Sequence, residues 1–486
     1  MELLLKNARC VDPVAGFDKP ALRDVLIRDG RIAAICEPGA IEHLGMEQDR
    51  GGGGSVDGDR DGGEGGGVGV GVGSRVDSAS ITERDLDEKI LVPGLMDMHV
   101  HLRDPSLEYK EDIASGTRAA ARGGFTAVLA MPNTKPTIDK GSEVAYVLDR
   151  AGQFASARVF VAGALTAGQK GDALAEMGDM LAAGAVAFTD DGRGVQDAGL
   201  MRLAMEYAST LDAPVLSHCQ DEALVRGGQI HEGRMSTRLG LDGWPAAGEE
   251  IQISRDIALC ELTGCKLHIQ HISTAGGLKL VRAAKAKGLP VTAEVTPHHL
   301  FLCEDDLDES YNTNLKMNPP LRTAADAAAL RMGLIAGDID CVATDHAPHA
   351  AHEKTLEFEL APFGTTGLET ALSLMLTELV GGGAPDGGSK AVGKGESVRE
   401  SELSYAELVE RMAHAPRRIL GIPLVTLTVG APADLTVIDT EAEWEVRADE
   451  LVSKSKNSAF IGRKLKGRAT DVFVGGKAVL EGGRLV

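Results

Sequence analysis

The residues able to do chemistry sit at the ends of short apolar runs. The run 94–102 carries His99-Val100-His101 and leads into Arg103. Side chains alternate along a strand with period two, so both imidazoles fall on one face, which is the start of a divalent-metal site. Later runs end in the same manner, in Pro132-Asn133, Asp190-Asp191, His218, His271, His298-His299 and Asp345-His346-Ala347-Pro348-His349. Four histidines and two carboxylates from five strand ends are the donor inventory of a two-metal hydrolase, with N and O ligands suited to zinc. Each has a plainer reading. His99, His101, His218 and His271 could be core histidines, and Asp345 an ion-pair partner. Asp191 could cap the next helix, although Asp190 is the better cap or loop residue, and spacing alone does not separate the two. His268 lies inside its run and reads as core or wall. His43, His231, His352 and His414 have no comparable context. Arg103, Asn133, Asn318 and His349 are not needed as ligands. A guanidinium beside a metal site is placed to clamp a carboxylate with two hydrogen bonds, so Arg103 points to an anionic substrate. Its plainer reading is a surface salt bridge.

The elements that must position these residues form a series. Apolar runs occur at 94–102, 125–131, 159–163, 185–188, 214–217, 266–270, 291–295 and 339–343, with Ala-rich helical stretches such as 115–122 and 254–261 between most of them. Eight strands alternating with helices predict a closed (β/α)8 barrel, whose active site lies at the C-terminal ends of the strands. A doubly wound open sheet is the alternative, but no Gly-x-Gly-x-x-Gly turn follows an early strand.

Both ends of the chain are β-rich. Asp24–Arg28 and Arg31–Ile35 flank Asp29-Gly30, a two-residue hairpin signal. Ala433–Ile438 and Asp471–Val474 read as strands, the latter followed by a turn at Gly475-Gly476. One small β-sandwich-like domain built from both termini (1–92 and 423–486) is the economical arrangement, with the barrel (93–422) inserted. Two Gly-rich stretches, about 51–74 and 381–398, lack the apolar residues to offset their ordering entropy and read as passive insertions. Neither has the lysine-bearing strand-to-helix setting of a phosphate loop.

The chain has 486 residues, a net charge of −22 and 3% aromatics. That balance argues against nucleic-acid binding, which needs basic patches and stacking platforms. Seven cysteines without a Cys-x-x-Cys argue against a disulfide framework and a thiolate zinc site. No run approaches the roughly 18 apolar residues of a membrane span, and the N-terminal apolar run is too short for a signal peptide. A cytoplasmic location is the expectation.

Taken together, the motifs resemble class I dihydroorotases of the amidohydrolase superfamily. They are Asp97–Pro105, Ala130–Thr134, Ala187–Gly192, His218–Asp221, His271–Thr274, Glu294–His299, Lys316–Leu321, Ala343–His349 and Leu360–Gly364. The resemblance covers nearly the whole chain outside the two Gly-rich stretches. It implies reversible hydrolysis of (S)-dihydroorotate to N-carbamoyl-L-aspartate, the third step of de novo pyrimidine synthesis. It also implies His99 and His101 on one metal, His218 and His271 on the other, Asp191 bridging, and Asp345 on the first metal and acting as proton shuttle. The carboxylate of the substrate falls to Arg103 and Asn133 with His349 beside them, and the ring to Asn318 and the backbone around Phe363-Gly364. One or two zinc ions per subunit are implied, two making fuller use of the set. A homodimer and an association with aspartate transcarbamoylase stay open. Hydantoinase-like and allantoinase-like relatives bridge their metals with a carboxylated lysine, whereas the fourth run here offers Asp190-Asp191 and no lysine. Those two activities are the first rival, and they leave Arg103 poorly explained. The second is an inactive scaffold for aspartate transcarbamoylase, which loss of ligands would mark.

Overall fold

A computed structural model describes residues 2–40, 81–380 and 402–486. The Gly-rich stretches 51–74 and 381–398 lie outside the described residues. The first strands are β1 (Glu2–Asp12), β2 (Phe17–Arg28), β3 (Arg31–Cys36), β4 (Ile81–Asp85) and β5 (Ile90–Pro93). Then follow β6 (Leu95–Val100), β7 (Phe125–Ala130), β8 (Arg158–Gly163), β9 (Ala185–Phe188) and β10 (Val215–Ser217). A two-residue pair, β11 (Ile230–His231) and β12 (Gly243–Trp244), precedes β13 (Leu267–Ile269), β14 (Val291–Val295) and β15 (Cys341–Val342). The chain closes with β16 (Leu435–Glu445), β17 (Lys464–Val474), β18 (Lys477–Glu481) and β19 (Arg484–Leu485).

Eight parallel strands run in the order β15-β14-β13-β10-β9-β8-β7-β6. The ring closes where Val100 bridges His346 and the His101 N–H donates to the His346 carbonyl at 2.9 Å. Two layers of apolar side chains hold it. Met96, Met98, Leu129, Met131, Leu216 and Cys341 fill the interior. Val128, Val161, Phe188 and Ile269 face outward and pack under Met201, Ile253 and Leu278 of the surrounding helices. Each such side chain stabilises the fold by about 1.5–3 kcal/mol when fully buried. The helices start on side-chain caps: Thr274 accepts from the Gly277 N–H, and Thr323 with Asp326 forms a capping box.

The terminal strands form one nine-stranded sheet, β19-β18-β17-β16-β5-β1-β2-β3, with β4 added beside β1. The β2–β3 hairpin turns at Asp29 (φ 49°) and Gly30 (φ 75°), the left-handed pair that a two-residue type I′ turn requires. The sheet curls until this hairpin meets the segment leading into β16, where the Ile32 N–H donates to the Ala431 carbonyl at 2.9 Å. The enclosed face buries Leu5, Val25, Ile32, Leu91, Leu435 and Phe473. Arg158 of β8 grips Asp434 with two hydrogen bonds, 2.5 and 2.9 Å, tying barrel to sheet.

Some bounds differ from the sequence reading. β17 begins at Lys464 rather than Asp471, because its first half alternates exposed and buried residues, Lys464, Leu465, Lys466, Gly467, with little apolar signal. The helix expected over 254–261 spans Ala247–Thr263 and stops at Gly264, φ 69°. No helix among the described residues is long and apolar enough to cross a membrane.

Candidate active site

The β6–β7 ladder slips between Asp97 and Val100. A bulge of this kind re-aims side chains. Met96 and Met98 line the interior below it, while His99 and His101 both reach the barrel mouth. Asp97 holds the irregular segment. Its Oδ1 accepts from the His99 and Thr344 backbone N–H groups, each at 3.1 Å, joining the first strand to the last. Burial pushes its carboxyl up to about 6.

Asp191 lies among the histidines. Its Oδ1 is 3.2 Å from His99 Nε2 and 3.5 Å from both His218 Nδ1 and His271 Nε2. Its Oδ2 is 3.4 Å from His101 Nε2. Asp345 Oδ1 lies 2.9 Å from His101 Nε2 and 3.6 Å from His99 Nε2. Asp190 turns away instead. It accepts from the Leu165 and Thr166 backbone N–H groups at 2.8 and 3.1 Å, and so braces the loop after β8. The cap of the following helix is Asp197.

The donor set fits a divalent cation. A tetrahedral ion with bonds of 2.0–2.1 Å needs neighbouring donors about 3.3 Å apart, and the separations around Asp191 bracket that value. His99-His101-Asp345 and His99-Asp191-His271 each bring their ligand atoms together, and every member is buried. His99 Nε2 is buried without a hydrogen-bond partner. Three of the four outer nitrogens are occupied by oxygens: His99 Nδ1 by Glu294 at 2.6 Å, His101 Nδ1 by Asn133 at 2.8 Å, and His218 Nε2 by Gln220 at 2.9 Å. Such contacts leave the inward nitrogen as a lone pair, the arrangement that metal-binding histidines need. The fourth outer nitrogen, His271 Nδ1, is buried without a partner, and the inward His218 Nδ1 and His271 Nε2 lie 2.8 Å apart. Burial alone would pull the His99 pKa down, but Asp191, Glu294 and Asp345 hold it well above the ordinary value. Three anions therefore converge on one buried spot.

Beside this cluster lies Arg103, only 8% exposed. Its Nε donates to the Pro348 carbonyl at 3.3 Å, and a terminal nitrogen lies 3.5 Å from His349 Nε2. It makes no ion pair among the described residues. His349 donates from Nε2 to the Phe363 carbonyl at 2.8 Å and faces Lys110 Nζ at 3.3 Å through Nδ1. Burial, with Arg103, Lys110 and Lys354 nearby, keeps its pKa far below the usual value, so the ring is neutral. Asn318 presents a buried Oδ1 without a partner. The Gly364 N–H donates to the Lys316 carbonyl at 2.8 Å, and its carbonyl accepts from Asn457 Nδ2 at 3.1 Å and keeps a second lone pair. A Cβ at Gly364 would come within 2.6 Å of Ala347, and its φ of 124° lies in the glycine region. Arg103 (φ 61°), His271 (φ 31°) and Asp345 (φ 46°) also have left-handed backbones. Such strain at non-glycine residues persists only where the surroundings enforce it.

A family model described as dihydro-orotase-like matches residues 88–276. The dihydroorotase of Pelotomaculum thermopropionicum is 46% identical, covering 99% of this chain and 99% of its own length. That of Anaeromyxobacter sp. strain K is 44% identical, covering 99% and 98%. The chain belongs to the dihydroorotase family. Among solved structures, the L-hydantoinase (dihydropyrimidinase) from Arthrobacter aurescens superposes with a TM-score of 0.79 at 25% identity, covering 100% of this chain and 97% of that one. A D-hydantoinase gives 0.76 at 20% identity, covering 100% and 96%, which shows the shared fold.

In this member of the dihydroorotase family several working residues, most of them inside the motifs that carry the resemblance, had no role assigned from the sequence. Glu294, Gln270 and Gln220 contact the histidines, and Asp97 anchors their strand. The available signal was a charge inside a buried apolar run, as in Val291-Thr292-Ala293-Glu294-Val295. Lys316 is a further case. Buried under the loop 358–363, it donates to the Phe358 and Ala361 carbonyls, each at 2.7 Å, and lies 4.5 Å from the Phe363 ring centroid. At the seventh strand end, His299 bonds Thr296 and the Pro319 carbonyl rather than joining the cluster.

Proposed function

We propose that this protein catalyses the reversible, zinc-dependent interconversion of (S)-dihydroorotate and N-carbamoyl-L-aspartate. The observation that carries the substrate choice is Arg103. A guanidinium this buried is normally paired, and this one has no carboxylate partner among the described residues. Its counter-ion is the carboxylate of the substrate, which hydantoins and dihydropyrimidines lack. His349 lies beside Arg103, and we assign Asn133 to the same carboxylate. Asn133 Oδ1 is engaged with His101, which leaves its amide nitrogen to donate to the substrate. The unpartnered Asn318 Oδ1 accepts a ring N–H.

His99, His101 and Asp345 would hold one zinc, His218 and His271 the other, with Asp191 shared. When bound, the metal polarises the scissile carbonyl and lowers the pKa of water to about 7. Asp345 takes the proton of the attacking water and returns it to the leaving ring nitrogen. In the cyclising direction it removes the proton from the carbamoyl nitrogen as that nitrogen bonds to the side-chain carboxylate carbon, and passes it to the carboxylate oxygen that departs as hydroxide. Flanking imidazoles keep its carboxyl below the usual range despite burial, so it starts as the base.

The test is an assay of the purified protein, with its metal content measured, on dihydroorotate, carbamoyl aspartate, hydantoin and dihydrouracil. Dihydroorotate should be preferred over the neutral rings by at least a hundredfold. Equal turnover of a neutral ring would favour a hydantoinase-like activity, and no turnover by metal-loaded protein would favour a scaffold.

A further inference from the structure

Glu294 is fully buried on β14 and faces the metal-site histidines from across the barrel. Its Oε1 lies 2.6 Å from His99 Nδ1 and 3.2 Å from the His271 backbone nitrogen. Its Oε2 lies 3.2 Å from His268 Nε2, and His268 Nδ1 is 2.8 Å from the Thr292 hydroxyl. The proton count has one consistent solution. An ionised carboxylate offers only lone pairs, so His99 donates from Nδ1, the His271 amide donates, and His268 donates from Nε2. His268 Nδ1 then accepts from Thr292. Gln270 Nε2 also lies 3.2 Å from His99 Nδ1. The carboxylate contact is much shorter and requires a proton between the two atoms, so it sets the tautomer.

The two Oε1 bonds act on different halves of the site. One turns the His99 ring so that Nε2, buried and without a partner, points at Asp191 and Asp345. The other holds the backbone of His271 in its left-handed conformation, φ 31°, from which its ring reaches Asp191. We propose that Glu294, itself oriented by His268, is the positioning residue that couples the two halves of the metal centre. It touches neither substrate nor reacting atoms. The inference rests on the reading of these histidines as zinc ligands.

Zinc affinity of the full-length protein, measured by chelator competition, tests this independently of turnover. Glu294→Gln keeps the shape and removes the charge. It should weaken zinc binding 10–100-fold, the range found when partners of metal ligands are removed. His268→Gln should weaken it in the same direction by less, and a double variant should be no worse than Glu294→Gln alone, because His268 acts through Glu294. Glu294→Asp should recover part of the loss. Wild-type affinity in Glu294→Gln would overturn the proposal, and so would additive losses in the double variant. Should Glu294→Gln fail to fold, His268→Gln decides: unchanged zinc affinity in that variant removes His268 from the scheme and overturns it. Wild-type protein that binds zinc but ignores dihydroorotate would sink the proposed activity and leave the zinc affinities to decide the role of Glu294. Wild-type protein that binds no zinc would overturn both.

Discussion

Replacing Arg103 by Met keeps the reach of the side chain and removes its charge. Among the described residues the guanidinium makes one weak hydrogen bond, 3.3 Å to the Pro348 carbonyl, and its 3.5 Å contact with His349 Nε2 sets one N–H against another. In the proposed reading the substrate contact is the strong one. A hydrogen bond to a charged group is worth about 1.5–3 kcal/mol, and a guanidinium can supply two to a carboxylate. With about 1.4 kcal/mol per factor of ten, one such bond corresponds to roughly 10–150-fold, so kcat/KM for dihydroorotate should fall by about a hundredfold or more. The carboxylate is remote from the scissile amide and carries the same charge throughout, so the loss should appear mainly in KM. Hydantoin and dihydrouracil, if turned over at all, should change less than threefold. Stability should move the other way. Burial pulls the Arg103 pKa down, which marks the cost of an unpaired cation there, and an apolar group of similar volume removes that cost. The ligand-free variant should be more stable by about 1 kcal/mol or more. Wild type should gain about 2.7 kcal/mol from dihydroorotate at a hundred times its Kd, and the variant should gain far less at the same concentration. Steady-state kinetics in both directions and melts with and without dihydroorotate measure all of this. An unchanged KM for dihydroorotate, an equal loss on neutral rings, or a lower melting temperature would refute the carboxylate clamp.

Asp345→Asn should lower kcat about 10²–10⁴-fold in both directions, as expected for loss of the proton shuttle, with circular dichroism unchanged. At φ 46° a Cβ is unfavourable, so Asp345→Gly should be more stable to denaturant than Asp345→Ala by about 1 kcal/mol. Asp191→Ala should strip zinc and activity together. Asp190→Ala should keep zinc and lose about 1–3 kcal/mol of stability, from the unpaired Leu165 and Thr166 N–H groups. Because the proposed shared ligand, Asp191, is already a carboxylate, zinc should reactivate the metal-free protein equally with and without bicarbonate. Burial pulls the Lys316 pKa from 10.5 to about 8. Between those values the unfolded chain binds more protons than the folded one, so this lysine makes stability rise with pH across that window, and below it the slope vanishes. Lys316→Met should lack that rise when its melts are compared with wild type from pH 7 to 10.5, the range running just below and up to the usual lysine pKa.

Local chemistry was the legible part of this chain. Asp29-Gly30 announces its hairpin because both positions need a positive φ, and they have it, 49° and 75°. The strand ends announce the site because a parallel barrel gathers them at one mouth. Separating Asp190 from Asp191 required a fact absent from their own neighbourhood, that the Leu165 and Thr166 N–H groups lie within reach of one and four imidazoles within reach of the other. Glu294 was hidden for the same reason. Its partner His99 is 195 residues away, and in a run such as Val-Thr-Ala-Glu-Val it reads as a flaw in an apolar strand. Yet the interior of a parallel barrel admits no solvent to such a carboxylate, and an unpaired one would cost several kcal/mol. A charge inside a fully buried strand therefore implies a partner on another strand. Asp97 meets the Thr344 N–H, and Glu294 meets His99 and His268. Arg103, just past the end of its strand, obeys the same rule without a carboxylate to meet among the described residues, and that is why we propose that the substrate supplies its counter-ion.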